Sequence, residues 1–100
     1  MKLEALKLNA MASGEVSLAL TEGVAADDFA DYANQLLRIL NGTVESKGAS
    51  MDVLLWDVKI DGVVLWLAWD IWTGISLDSK DAAGSSVVRR VHDRLLKQSS

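Results

Sequence analysis

The chain of 100 residues contains no cysteine and no proline. Without cysteine there are no disulfides, no thiolate nucleophile and no cysteine-ligated zinc, and a chain of this length needs no disulfide or metal to fold. This composition fits a reducing cytosol. Without proline, nothing in the chain enforces a break by proline chemistry. Phenylalanine and tyrosine occur once each, whereas tryptophan occurs four times. Long apolar runs are also missing. The longest, Val63 to Trp69, is far short of the ~20 residues of a membrane helix. The N-terminal MKLEALKLNAMASGE scatters charge among its apolar residues and lacks the apolar core of a signal peptide. The expectation is a soluble, cytoplasmic protein with no membrane association.

Basic charge is scarce as well. The formal net charge is −4, which argues against general nucleic-acid binding through phosphate contacts. The distribution is uneven, +3 over residues 80–100 and −7 over residues 1–79. The basic end reads as the solvated face of a last helix. A half-apolar chain of this size is expected to form one domain spanning residues 1–100, with a core of its own.

Period-2 alternation of Val16, Leu18 and Leu20 with Ser17, Ala19 and Thr21 predicts a strand. Lys2 to Leu8 fits either a strand or a helix and is read as a preceding strand, with Asn9 to Gly14 as the connection closing a hairpin. From Ala26 to Leu40 the period becomes helical, with Phe29, Ala33, Leu36 and Leu40 as the stripe and Ala26 and Leu37 widening it. Asp27, Asp28 and Asp31 suit the helix start, Arg38 its end, and Asn41-Gly42 the left-handed stop. Thr43 to Lys47 reads as a strand broken by Gly48 to Ser50. A last helix is expected from a cap at Ser79 or Asp81 to about Lys97, burying Gly84, Val87, Val88, Val91 and Leu95.

The four tryptophans, Trp56, Trp66, Trp69 and Trp72, all fall between Met51 and Leu77. Asp61-Gly62 between two alternating runs is a strong signal for a type I′ hairpin. It pairs Ile60 with Val63, Val58 with Leu65, Trp56 with Leu67 and Leu54 with Trp69 on one wholly apolar face. The opposite face pairs Lys59 with Val64, Asp57 with Trp66, Leu55 with Ala68 and Val53 with Asp70. A slip of one residue buries Lys59 and Asp57, so burial enforces this register. A three-residue loop at Trp72-Thr73-Gly74 is expected to pair Ile71 with Ile75 and Trp69 with Leu77. The fold class that follows is a two-layer α+β domain, β-β-α-β-β-β-β-α, with a largely antiparallel sheet and both helices on its apolar face.

That arrangement assigns Trp56 and Trp69 to the core. It leaves Val53, Leu55, Val64, Trp66 and Trp72 as the candidate interaction surface. Burying ~400 Å² of tryptophan at ~25 cal/mol/Å² yields up to ~10 kcal/mol per subunit. Association costs ~4–15 kcal/mol, so a homodimer or one protein partner is within reach. The competing reading has the N-terminal hairpin or a long side chain covering Trp66.

Chemistry-bearing residues are sparse. His92, the only histidine, sits at the edge of the last helix's stripe. Ser85 lies about two turns before it, too weak a pairing for a nucleophilic site without a third group. Asp57 and Asp70 beside Trp66 offer an acid or base in an apolar setting. Asp27, Asp28 and Asp31 lack calcium-loop spacing, and Gly84-Ser85-Ser86 has no lysine placed as in a P-loop. Arg89, Arg90, Arg94 and Lys97 lack the interleaved aromatics of a nucleic-acid surface. No cofactor, metal or catalytic residue is assigned.

The segment WDIWTGISLDSKDAAGSSVVRRVHDRL combines an aromatic strand, Gly-Ile and a basic terminal helix. In this it resembles a small family of uncharacterised gammaproteobacterial single-domain proteins. The resemblance implies a bacterial, cytoplasmic setting and contributes no activity. Three functional expectations follow. The first is a non-enzymatic interaction module acting through the Trp66 face. The second is a small-molecule-binding domain or enzyme with a pocket near Asp57, Asp70 or His92. The third is an immunity-type protein that blocks a basic toxin with its acidic surface.

Overall fold

A computed structural model describes residues 3, 6–50 and 52–99. Six strands form a single sheet in the order β1-β2-β6-β5-β4-β3, every neighbouring pair antiparallel. The strands are β1 (Lys7–Ala10), β2 (Val16–Thr21), β3 (Thr43–Ala49), β4 (Val53–Ile60), β5 (Val63–Asp70) and β6 (Gly74–Asp78). Helices α1 (Phe29–Leu40) and α2 (Ala82–Ser99) complete the two-layer α+β fold. The strand expected over Lys2 to Leu8 begins only at Lys7, and Lys2, Glu4 and Ala5 lie outside the described residues.

The β4–β5 ladder has all eight expected pairs, from Ile60 with Val63 to Val53 with Asp70. Asp61 and Gly62 both take positive φ, 54° and 78°, as a type I′ turn requires. One face of the sheet therefore carries Trp56, Val58, Ile60, Leu65, Leu67 and Trp69, all buried. Leu18, Leu20, Ile75 and Leu77 extend that face through β2 and β6.

The second turn departs from the expected register by two residues. Asp70 pairs with Gly74, Trp69 with Ile75 and Leu67 with Leu77, so Ile71-Trp72-Thr73 is the loop. The cause is local. Asp70 Oδ1 accepts the N–H groups of Trp72 (2.8 Å) and Thr73 (2.7 Å), and Oδ2 accepts the Thr73 hydroxyl at 2.5 Å. The carboxylate stops the strand at its own position by satisfying the backbone that follows. A shift of two preserves the side-chain alternation, so Ile75 and Leu77 still face the core. Ile71 is released into solvent, 61% exposed.

Helix α1 is preceded by a 3-10 turn over Ala26–Asp28, which leaves Ala26 exposed, contrary to its expected place in the stripe. Tyr32 joins Phe29, Ala33, Leu36, Leu37 and Leu40 in the buried face instead. Asn41, at φ 55°, is the left-handed residue of the stop. The Phe29 ring meets Trp56 edge-on at 5.1 Å, and the Trp69 indole N–H donates to the Val24 carbonyl at 2.7 Å. These contacts fix both core tryptophans under the start of α1.

Strand β3 runs on through Gly48 and Ala49, past the break expected there, with a bulge between Val44 and Ser46. Helix α2 is capped by Asp81, whose Oδ1 accepts the Gly84 N–H at 2.7 Å. Ser79, the other candidate cap, is buried instead. Its hydroxyl accepts the Val16 N–H (3.0 Å) and donates to the Val16 carbonyl (2.8 Å), tying the end of β6 to the start of β2. Helix α2 buries Val87, Val88, Val91 and Leu95 on the same core as α1 and continues two residues beyond Lys97.

Candidate functional site

Both helices lie on the apolar face, so the other face has no second layer among the described residues. Cross-strand register places Ser17, Asp78, Trp66, Asp57 and Ser46 in one row across β2, β6, β5, β4 and β3. The adjacent row is Ala19, Ser76, Ala68, Leu55 and Gly48. The sheet thus presents a single indole flanked by two carboxylates, beside a strip of small side chains ending at Leu55.

The row is organised by hydrogen bonds between adjacent strands. Ser46 donates to Asp57 Oδ2 at 2.6 Å, and Ser17 donates to Asp78. Lys80, from the segment joining β6 to α2, places Nζ 2.7 Å from Asp57 Oδ1 and 4.9 Å from the centroid of the Trp66 ring. The Lys80 and Ser46 hydrogen bonds hold the Asp57 carboxyl below its ordinary value. The residual burial acts in the opposite direction and is outweighed, while the Trp66 indole adds a smaller effect of the same sign as Lys80.

Of the sequence-derived surface residues, Val53, Leu55, Val64 and Trp66 share this face. Leu55 is 38% and Trp66 37% exposed, while Val53 and Val64 are half-buried. Lys80 supplies part of the covering of Trp66, the role anticipated for a long side chain. Trp72 stands apart, at the tip of the β5–β6 hairpin beyond the end of the ladder, and is 77% exposed. Ile71 beside it carries the same exposed character and was not singled out from the sequence, because the expected register placed it in a strand. Asp78 was missed for the same reason, since it stands opposite Trp66 only in the observed register. Lys80 reaches the ring from the connection after β6, which no strand pattern encodes.

The residues considered for catalysis do not converge. Asp57 is occupied by Lys80 and Ser46. For Asp70, burial pushes the carboxyl up, but the Thr73 hydroxyl and the Thr73 and Trp72 N–H groups more than offset it, leaving it below the ordinary 3.8. Both carboxylates are therefore ionised near neutrality, unsuited to donating a proton. His92 is half-buried on α2, its Nε2 at 3.0 Å from the Leu6 carbonyl, joining that helix to the segment before β1. Ser85 hydrogen-bonds Glu15, Ser79 and the Val16 N–H, not His92. An open concavity of about 360 Å³ lies over β3 and β4, with Val53, Leu55 and Asp57 on one side and Ser46, Gly48 and Ser50 on the other. Asp70 and His92 do not line it. A second, of about 470 Å³, lies between the end of α1 and the start of β3, by Asn34, Arg38 and Asn41. Among the described residues no three His, Asp or Glu side chains gather as a metal site, and no helix is long and apolar enough to cross a membrane.

The chain belongs to the DUF3630 family, described as a protein of unknown function, whose model matches residues 6–91. No curated protein and no solved structure matched it.

Proposed function

Starting from a family without an assigned activity, we propose that the chain is a small non-enzymatic interaction module. It joins a protein partner or a second copy of itself through the sheet face around Trp66 and the Ile71–Trp72 tip. The observation that carries this reading is the uncovered sheet face with its exposed aromatic and aliphatic groups. Leu55, Trp66, Ile71 and Trp72 account for four of the five large exposed hydrophobics among the described residues. Trp72 adds a second argument. It fills no space in the core, yet the loop bearing it is fixed by three hydrogen bonds to Asp70. An exposed indole on a backbone already held in place avoids the entropy cost of ordering the loop on docking, and tryptophan is a typical anchor of an interface.

The exposures also set the scale. At 37% and 77% of ~250 Å² each, the two tryptophans leave about 280 Å² to bury, worth up to about 7 kcal/mol. That lies inside the ~4–15 kcal/mol cost of association, so Leu55, Ile71 and polar contacts must contribute to any lasting complex. A bacterial, cytoplasmic setting belongs to the same proposal and is compatible with the cysteine-free sequence.

Light scattering on wild type and on Trp66→Ser and Trp72→Ser variants tests the self-associating form. Photo-crosslinking from positions 66 and 72 in cells tests the partner-binding form, with position 89 on the exposed side of α2 as control. The expected result is a dimer lost in the variants, or a discrete adduct from 66 and 72 but not from 89. A monomeric wild type with no adduct specific to those positions rejects the proposal.

A further inference from the structure

Lys80 is not part of the sheet. It lies in the Ser79–Asp81 connection, one residue after Ser79, which is anchored on Val16. From there its ammonium reaches Asp57 Oδ1 at 2.7 Å and stands 4.9 Å from the Trp66 ring centroid. Asp57 is oriented independently of Lys80, because Ser46 holds its other oxygen at 2.6 Å. A fixed carboxylate and an indole face thus form a corner that binds a cation, and the chain fills it with its own. On the far side of Trp66, Asp78 offers a second carboxylate, oriented by Ser17.

The occupant is loosely held. The Lys80 and Asp57 side chains are 30% and 34% exposed, and an ion pair standing in water is readily exchanged for another. The corner also suits a different cation better. A guanidinium is planar, stacks on an indole and donates two parallel N–H groups to a carboxylate, none of which an ammonium does. Charge favours a basic visitor, since the chain carries a net −4 and Asp57 and Asp78 stand on either side of the ring. The same sign disfavours phosphate-bearing partners.

Resting on the reading of this face as an interaction surface, we infer that the Asp57–Trp66 corner is a recognition site for an arginine side chain of a protein partner. In the free chain Lys80 closes it, and docking requires Lys80 to swing out. Lys80 is thereby a competitor in cis that sets the threshold for binding, and Asp78 accepts a further basic group on the other side of the ring.

The probe is an acetylated, amidated Gly-Arg-Gly-Arg-Gly peptide, followed by the indole N–H signal of Trp66 in two-dimensional NMR, which also verifies the fold of every variant. Assignment comes from Trp66→Phe. The Lys80→Met variant is expected to bind about threefold to tenfold more tightly than wild type, the factor set by removing an exposed ion pair and ring contact. It is also expected to prefer the arginine peptide over its lysine counterpart. In the Lys80→Met background, Asp57→Asn is expected to abolish the gain. Asp52→Asn makes the same charge change outside the corner and is expected to retain it. Equal affinity of Lys80→Met and wild type, or equal losses from Asp57→Asn and Asp52→Asn, overturns the inference. The peptide result is independent of the crosslinking result, so a functional corner without a cellular partner and a partner bound without this corner are told apart.

Discussion

Gly74 is where the hairpin tip, β2 and the core tryptophans meet, and its replacement by alanine separates two effects that usually arrive together. Its φ is +79°, and a Cβ built there falls 2.1 Å from the Thr21 carbonyl oxygen and 2.6 Å from the Glu22 Cα. Gly62 has nearly the same φ, +78°, with nothing within 4 Å of its added Cβ. Gly62→Ala therefore measures the left-handed backbone penalty alone, about 1–2 kcal/mol. Gly74→Ala carries that penalty and a collision with main chain, which no rotamer change relieves. Relief requires β6 to move from β2, an overpacking cost of about 1–3 kcal/mol more. The sum, about 2–5 kcal/mol, is a large part of the ~5–15 kcal/mol stability of a small domain. Urea unfolding of both variants, followed by tryptophan fluorescence, measures the difference. In thermal scans Gly74→Ala is expected to melt at least ~4 °C below Gly62→Ala, at ~4–8 °C per kcal/mol. Equal destabilisation of the two refutes the argument that β2 and β6 are in close backbone contact at this point.

Asp70→Ala removes three hydrogen bonds from an exposed turn and is expected to cost about 1 kcal/mol. The amides of Trp72 and Thr73 should then show faster motion in NMR relaxation. Because the Asp70 pKa is depressed by folding, its stabilisation is present above the ordinary 3.8 and is lost as pH falls through the lower folded value. The stability gap between wild type and Asp70→Ala should therefore narrow on acidification below that range, as urea midpoints taken across pH will show. Ser79→Ala is expected to cost about 1–3 kcal/mol. It strips the buried Val16 carbonyl of its side-chain donor and leaves the Val16 N–H with only the longer bond to Ser85. Amide exchange at Val16 should accelerate.

The β4–β5 pairing was fully legible because two independent constraints agree. Asp61-Gly62 dictates the turn, and the alternative register buries Lys59 and Asp57. The β5–β6 pairing had only the turn constraint. A two-residue shift changes no side chain's face, so burial does not discriminate between the two registers. The deciding group was the Asp70 side chain, whose bonds to Trp72 and Thr73 belong to turn chemistry and not to hydrophobic pattern. Tyr32 shows the converse. It lies three residues after Phe29 and four before Leu36, so the helical stripe includes it, but a polar hydroxyl hid it from an apolar pattern. Strand order depends on β2 reaching across the sequence to β6, and no local signal encodes that.

The site suffered most from this two-residue ambiguity. In the expected register the residue opposite Trp66 is Lys80, and Asp78 stands opposite Ala68. In the structure Asp78 takes that place, which puts Lys80 beyond the strand end, free of the ladder, where it folds back over the indole onto Asp57. A lysine locked opposite Trp66 in a ladder is simply a cover. A lysine tethered in the connection between β6 and α2, holding the ring through one exposed ion pair, is a displaceable one. The difference rests on the carboxylate of Asp70, four residues along β5 from Trp66, about 13 Å at ~3.3 Å per residue. One side chain in the hairpin tip thus determines both how rigidly Trp72 is presented and which group stands over Trp66.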